Sequence, residues 1–155
     1  MMEPTATEIR TLDNYIAGTW TPVSGTEALD VQNPATGEVI ARVPLSGAAE
    51  LDAAVKAARE ALPAWREVNV IERARRLFRL REGLDARREE LAQSVTTEMG
   101  KTIADARAEV ARMIEMVECA CAIPTTMQGR ILEDVSRNID AETVRQPVGV
   151  CAAIV

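Results

Sequence analysis

The sequence contains no histidine. That absence removes the Ser-His-Asp triad, the Cys-His dyad and any histidine-ligated zinc site from what the chain can build. Aromatic residues are scarce, at 3% of 155 residues: Tyr15, Trp20, Trp65 and Phe78. They are too few for a stacking platform that grips single-stranded nucleic acid. Basic residues are outnumbered 18 to 24, which leaves a net charge of −6. A phosphate-tracking basic surface is therefore not expected, and nucleic acid is not an expected partner. Long apolar runs are missing too, and none approaches the roughly 20 residues of a membrane span. The opening MMEPTATEIRTLDNYIAG lacks the basic and apolar regions of a signal peptide. The expectation is a cytoplasmic chain with no membrane partner. Cysteine is limited to Cys119, Cys121 and Cys151. An odd count with C-x-C spacing suits neither a disulfide framework nor a zinc ribbon, so reduced and mostly buried thiols are expected.

What is present is an ordinary globular composition, 47% hydrophobic and 27% charged, with length for one domain. Strand-forming residues open the chain. Asn14–Trp20 reads as one short strand-like segment. Val31 and Val39–Val43 flank Asn33-Pro34-Ala35-Thr36-Gly37, where Pro34 suits the second position of a turn and Gly37 supplies a positive φ. The period then changes to helical. Leu51, Ala54, Val55, Ala58, Leu62 and Trp65 form one stripe behind Gly47 as N-cap, with Pro63 weakening the last turn. A second helix is predicted from about Val70 to Met99, with Arg73 and its charged neighbours on the face opposite the apolar stripe, and Gly100 at C′. A third runs from about Lys101–Thr102 to Met127, with a kink or end at Pro124. Ile131, Val135 and Ile139 share one parity, so Gly129–Gln146 reads as two antiparallel strands around Ser136–Asp140. Pro147–Val155 is a continuous apolar run, the pattern of a strand buried on both faces of a parallel sheet. Such a strand needs neighbours, so a parallel α/β domain is expected to follow, with this sequence as a truncated piece.

Chemistry-bearing motifs are thin. Gly100-Lys101-Thr102 imitates the end of a phosphate-binding loop, but Val95 stands where that loop needs glycine, and the flanks are helical. There is no G-x-G-x-x-G, and no carboxylate pair stands out for acid–base work. Arg112, among Val110, Ile114 and Val117, reads either as a surface or salt-bridged arginine or as a guanidinium fork for a substrate carboxylate.

Several segments follow one another in a recognisable order. They are Asn14-Tyr15-Ile16-Ala17-Gly18-Thr19-Trp20, Asn33-Pro34-Ala35-Thr36-Gly37-Glu38-Val39-Ile40, Leu51-Asp52-Ala53-Ala54-Val55-Lys56-Ala57-Ala58 and Pro63-Ala64-Trp65. Glu98-Met99-Gly100-Lys101-Thr102 and Arg145-Gln146-Pro147-Val148-Gly149-Val150-Cys151 complete them. The series resembles the N-terminal part of the aldehyde dehydrogenase superfamily. Arg112 to Cys121, followed by Met127-Gln128-Gly129 and Ala152-Ala153-Ile154-Val155, is similar to its CoA-acylating branch, the methylmalonate-semialdehyde dehydrogenases.

The resemblance implies an α/β fold in three parts. Residues 1–128 would be the N-terminal part of an NAD-binding domain, with a β-hairpin or meander and three long helices. Residues 129–146 would be an oligomerisation hairpin. Residues 147–155 would be the first strand of a Rossmann-like sheet. It also implies NAD as cofactor, CoA as co-substrate, a small semialdehyde as substrate and a dimer or tetramer of identical chains. In the family a cysteine thiolate attacks the aldehyde and hydride passes to NAD, leaving a thioester. Arg112 matches the arginine that holds the substrate carboxylate, and Ile154 and Val155 sit where the first strand meets NAD. None of the three cysteines matches the nucleophile, and the catalytic glutamate and oxyanion asparagine lie downstream in the family. The chain alone is accordingly expected to be inactive. The other readings are a piece of a hydrolytic semialdehyde dehydrogenase and a non-catalytic module that pairs with full-length subunits.

Overall fold

The structure, a computed structural model, describes residues 9–23, 25 and 27–154. Seven strands and five helices are found among them, in an α/β arrangement. β1 (Arg10–Thr11) lies parallel to β5 (Val39–Pro44), and β4 (Ala28–Gln32) lies antiparallel on the other side of β5. The β4–β5 connection is the predicted turn. Asn33 Oδ1 accepts from the Ala35 amide at 2.9 Å, Asn33 O accepts from the Gly37 amide at 2.7 Å, and Gly37 has φ +76°. The side chain closes the bend, and glycine supplies the left-handed exit. Asn14–Trp20 is not a single strand. It folds back as β2 (Asn14–Ile16) and β3 (Thr19–Thr21) through Ala17 and Gly18, at φ +52° and +82°. Two successive positive φ values make the tight turn whose twist matches that of the paired strands. Ala17 is the residue that hid it, since alanine rarely takes this conformation.

α1 (Ala48–Glu67) starts at Gly47, whose amide donates to Glu50 Oε2 at 2.7 Å, and it carries Pro63 within its last turns. The predicted second helix is two helices, α2 (Val70–Ala86) and α3 (Arg88–Met99). The break falls at Arg87, at φ −109° and ψ 18°. Neither glycine nor proline marks it, and the apolar stripe continues across it, so periodicity alone reads one helix. The predicted third helix is likewise α4 (Ile103–Cys121) and the one-turn α5 (Ile123–Thr126). Pro124 lacks the N–H that would continue the ladder, and α5 begins around it. Asn69 and Thr102 cap α2 and α4 through their side chains, and Gly100 ends α3 at φ +69°.

The core lies where α4 crosses α2 and α3. Ala92, Ala106, Val110 and Ile114 are buried, and Leu84, Leu91, Val95 and Ile103 pack around them. Small residues at the centre let the helix backbones approach closely. Ion pairs lace the rim: Arg81 donates to Glu118 and Asp85, joining α2 to α4, and Arg107 grips Glu89, joining α4 to α3. The Glu118 hydrogen bond, then the nearby Asp85 charge, raises the Arg81 pKa.

β6 (Arg130–Ser136) and β7 (Ile139–Thr143) form a separate antiparallel hairpin, exposed along both strands. Its register shifts between Leu132 and Ser136, around Asp134 at φ +53°, whose amide donates to Asp140 Oδ1 at 2.9 Å. Residues 144–154 form no strand among the described residues. The described part of the expected strand over 147–155, residues 147–154, is thus not paired as a strand. A strand is defined by pairing, and no described strand lies beside this run. No helix of the described residues is long and apolar enough to cross a membrane.

Candidate functional site

Arg112 sits on α4, two residues from both Val110 and Ile114. Two helical steps carry a side chain about 200° around the axis, so Arg112 points away from the face that those residues bury. Its side chain is 72% exposed, and Nη1 donates to Glu115 Oε2 at 3.1 Å. The guanidinium is thus available to an incoming carboxylate. An exposed pair three residues apart on a helix holds its partners weakly. Ile154 is fully exposed on the irregular C-terminal segment, remote from Arg112 in sequence and lining none of the grooves described here. Val155 lies outside the described residues. Arg112, like Ile154, lines none of these grooves.

The cysteines correct one expectation. Cys121 is buried, but Cys119 and Cys151 are exposed, and all three are free. Cys119 and Cys121 leave α4 in different directions because two helical steps separate them. No group of three metal-ligating side chains comes together among the described residues.

A second feature was not legible in advance. The ends of α1 and α2 and the segment from Thr143 to Gly149 enclose a groove of about 670 Å³. Arg66, Arg73 and Arg145 line it, with Trp65 and Met127. Sequence periodicity puts Arg73 on the charged outer face of α2, yet its Nε is buried and has no hydrogen-bond partner among the described residues. The available signal was its position beside Ala74, the buried residue of α2. Arg76 lies over the Trp65 ring, 5.1 Å from its centroid, and fixes that wall of the groove.

With this geometry in place, comparison with known proteins identifies the class. The chain belongs to the aldehyde dehydrogenase family, whose sequence pattern matches residues 20–155. By that resemblance it is an enzyme chain. Malonate-semialdehyde dehydrogenase 1 of Geobacillus kaustophilus (strain HTA426) is 46% identical over 153 residues, covering 99% of this chain and 31% of that protein. Malonate-semialdehyde dehydrogenase 2 of Geobacillus thermodenitrificans (strain NG80-2) is 52% identical over 149 residues, covering 96% and 31%. A Sinorhizobium meliloti protein, assigned as a methylmalonate-semialdehyde dehydrogenase and solved with NAD, superposes with a TM-score of 0.86 at 34% identity. That superposition covers 92% of this chain and 29% of the other. The chain thus spans about a third of the length of the relatives it matches.

Proposed function

We propose that this sequence forms the N-terminal part of an NAD-dependent, CoA-acylating semialdehyde dehydrogenase that acts on malonate semialdehyde or its methyl derivative. The observation that carries this reading is the 46–52% identity to malonate-semialdehyde dehydrogenases across nearly the whole chain. Arg112 supplies the carboxylate-binding group: its fork releases Glu115 and takes the two carboxylate oxygens of the substrate. Its placement away from the α4 core lets it do so without disturbing packing. NAD, when bound, would accept the hydride released as the aldehyde is oxidised. The described residues do not build a dinucleotide cradle, since Ile154 offers only backbone and apolar surface and no glycine-rich helix entry is present.

The exposed apolar side chains of the β6–β7 hairpin, Ile131, Leu132, Val135 and Ile139, support its use as the contact between identical subunits. Three free thiols suit a reducing, cytoplasmic compartment. The 155 residues alone are inactive in this reading, because none of their cysteines matches the family nucleophile.

The test is an assay of the native gene product with malonate semialdehyde, NAD and CoA. The expected result is NADH together with an acyl-CoA. Free acid in place of acyl-CoA would replace this reading with the hydrolytic one, and absence of turnover would overturn both. NADH formation by the isolated 155 residues would overturn the inactivity claim. Arg112→Leu should raise KM for the carboxylated aldehyde about tenfold or more, the value of a charge-assisted hydrogen bond, and leave an uncharged aldehyde unaffected.

A further inference from the structure

Four residues lie one helical turn from Arg112 on α4 and share its side of the helix: Ala108, Glu109, Glu115 and Met116. Glu109 is taken by the Lys101 ammonium, and Glu115 accepts from Arg112 Nη1 at 3.1 Å. Ala108 ends at its methyl group. Met116 is the one long apolar side chain of the four, and it stays 49% exposed. The buried face of α4, formed by Ala106, Val110, Ile114 and Cys121, does not include it. Helix geometry sets its place. Each residue turns about 100° around the axis, so Glu115 falls about 60° to one side of Arg112 and Met116 about 40° to the other. The two flank the arginine one turn further on. The hydrogen bond to Glu115 shows that the guanidinium reaches along the helix toward that turn. The Met116 side chain leans back toward Arg112, because Cα–Cβ bonds in a helix tilt toward its N-terminus. The charged fork and the thioether therefore converge on one patch of surface.

We propose that Met116 is a specificity-determining residue of the substrate site. Its thioether packs on the α-carbon of the semialdehyde, and on the methyl branch where there is one, while Arg112 holds the carboxylate. The proposal rests on the carboxylate-binding role given to Arg112 above. In such a substrate the α-carbon is bonded directly to the carboxyl carbon, so a grip on the carboxylate also fixes where the α-substituent lies. A carboxylate on the guanidinium, with an apolar group beside it, matches the charge and the polarity of the patch. An unbranched side chain with a polarisable sulfur adapts to either hydrogen or methyl at that carbon.

The experiment measures kcat/KM of the native gene product for malonate semialdehyde and for its methyl-branched derivative, with NAD and CoA. The same is done for Met116→Ser, Met116→Leu, Met113→Ser and Arg112→Leu. Met116→Ser is expected to lower the ratio of the branched to the unbranched value by about fourfold, the worth of one buried methyl group. Met116→Leu, of similar volume and polarity, should keep the native ratio. Met113→Ser should keep it too, since that exposed side chain points about 100° away from Arg112. A general loss of packing lowers both values alike and leaves the ratio untouched. A ratio unchanged or raised in Met116→Ser, or lowered equally in Met113→Ser, overturns the proposal. Arg112→Leu separates the two possible failures. If it raises KM for both substrates while Met116→Ser leaves the ratio alone, only the Met116 assignment falls. If it raises KM for neither, or if the native protein turns over neither substrate, the carboxylate reading falls and the Met116 assignment with it.

Discussion

Gly100 shows how one residue ties two distant parts of the chain together. It ends α3 at φ +69°, and a Cβ built there would lie 2.8 Å from Cγ of Pro34, in the turn between β4 and β5. Alanine would meet two penalties at once: the left-handed backbone costs it about 1–2 kcal/mol, and the contact with Pro34 forces a shift. Gly100→Ala should therefore lower stability by at least about 1 kcal/mol in chemical unfolding. An unchanged midpoint would mean that the turn does not pack on the helix end. The sequence announced both partners, since an Asn-Pro-x-x-Gly turn and a C′ glycine are local signals. It carried no trace of their meeting, because contact between residues so far apart depends on packing. The same distinction holds for the candidate site residues. Arg112 was legible through resemblance, while the burial of Arg73 Nε was not, because helical periodicity puts that residue on the charged face of α2.

Among the elements, α4 is the one on which the others are assembled. Its buried face consists of Ala106, Val110, Ile114 and Cys121, and Ala106 has no exposed surface. Ala106→Leu would push extra methylenes between α4 and its neighbours, so a loss of about 1–3 kcal/mol is expected, measured by denaturant midpoint. The α3–α4 rim adds a pH dependence. The Arg107 hydrogen bonds hold the Glu89 carboxyl below its ordinary range. A depressed carboxylate contributes stability above its unfolded pKa and loses it as pH falls through the lower folded value. Arg107→Gln should therefore be less stable than the native chain at neutral pH, and the gap should close below about pH 4. A gap that persists in acid would show that Arg107 acts through packing of its stem. The β6–β7 hairpin rests on a different constraint. A Cβ at Gly129 would fall 1.9 Å from the Thr143 carbonyl oxygen, and a backbone oxygen cannot swing aside as a side chain can. Gly129→Ala should open the hairpin base, with faster amide exchange at Ile131 and Leu132 while α4 stays protected. Unchanged exchange at those amides would show that the base tolerates the substitution. The hairpin was readable in advance from the parity of Ile131, Val135 and Ile139. The split of α2 from α3 was not, because Arg87 breaks the helix without breaking its apolar period.

At the scale of the whole molecule, surface is the telling quantity. The chain exposes 12642 Å², against about 7,700 Å² for a compact monomer of its mass. The excess appears in apolar side chains that a monomer ordinarily covers: Ile131 is 73% exposed, Leu132 63% and Val148 92%. Among the described residues the buried core, by contrast, consists of a few small and medium side chains on α2, α3 and α4, with Pro44 buried on β5. Hydrophobic burial is the main force opposing chain entropy, so this balance gives the isolated 155 residues little stability and much adhesive surface. Exposed apolar surface on this scale favours association. The isolated chain should therefore sediment above its monomer mass of 16.8 kDa, and its association should persist in high salt, which screens ion pairs but not apolar contacts. Replacing Ile131 and Leu132 with Ser should shift the distribution toward monomer if the hairpin is the contact. An unchanged distribution would place the contact outside the hairpin, among exposed side chains such as Tyr15, Trp20, Leu51 and Val148. A monodisperse monomer with a cooperative unfolding transition would contradict the argument altogether, because it would show that the small helical core is sufficient by itself.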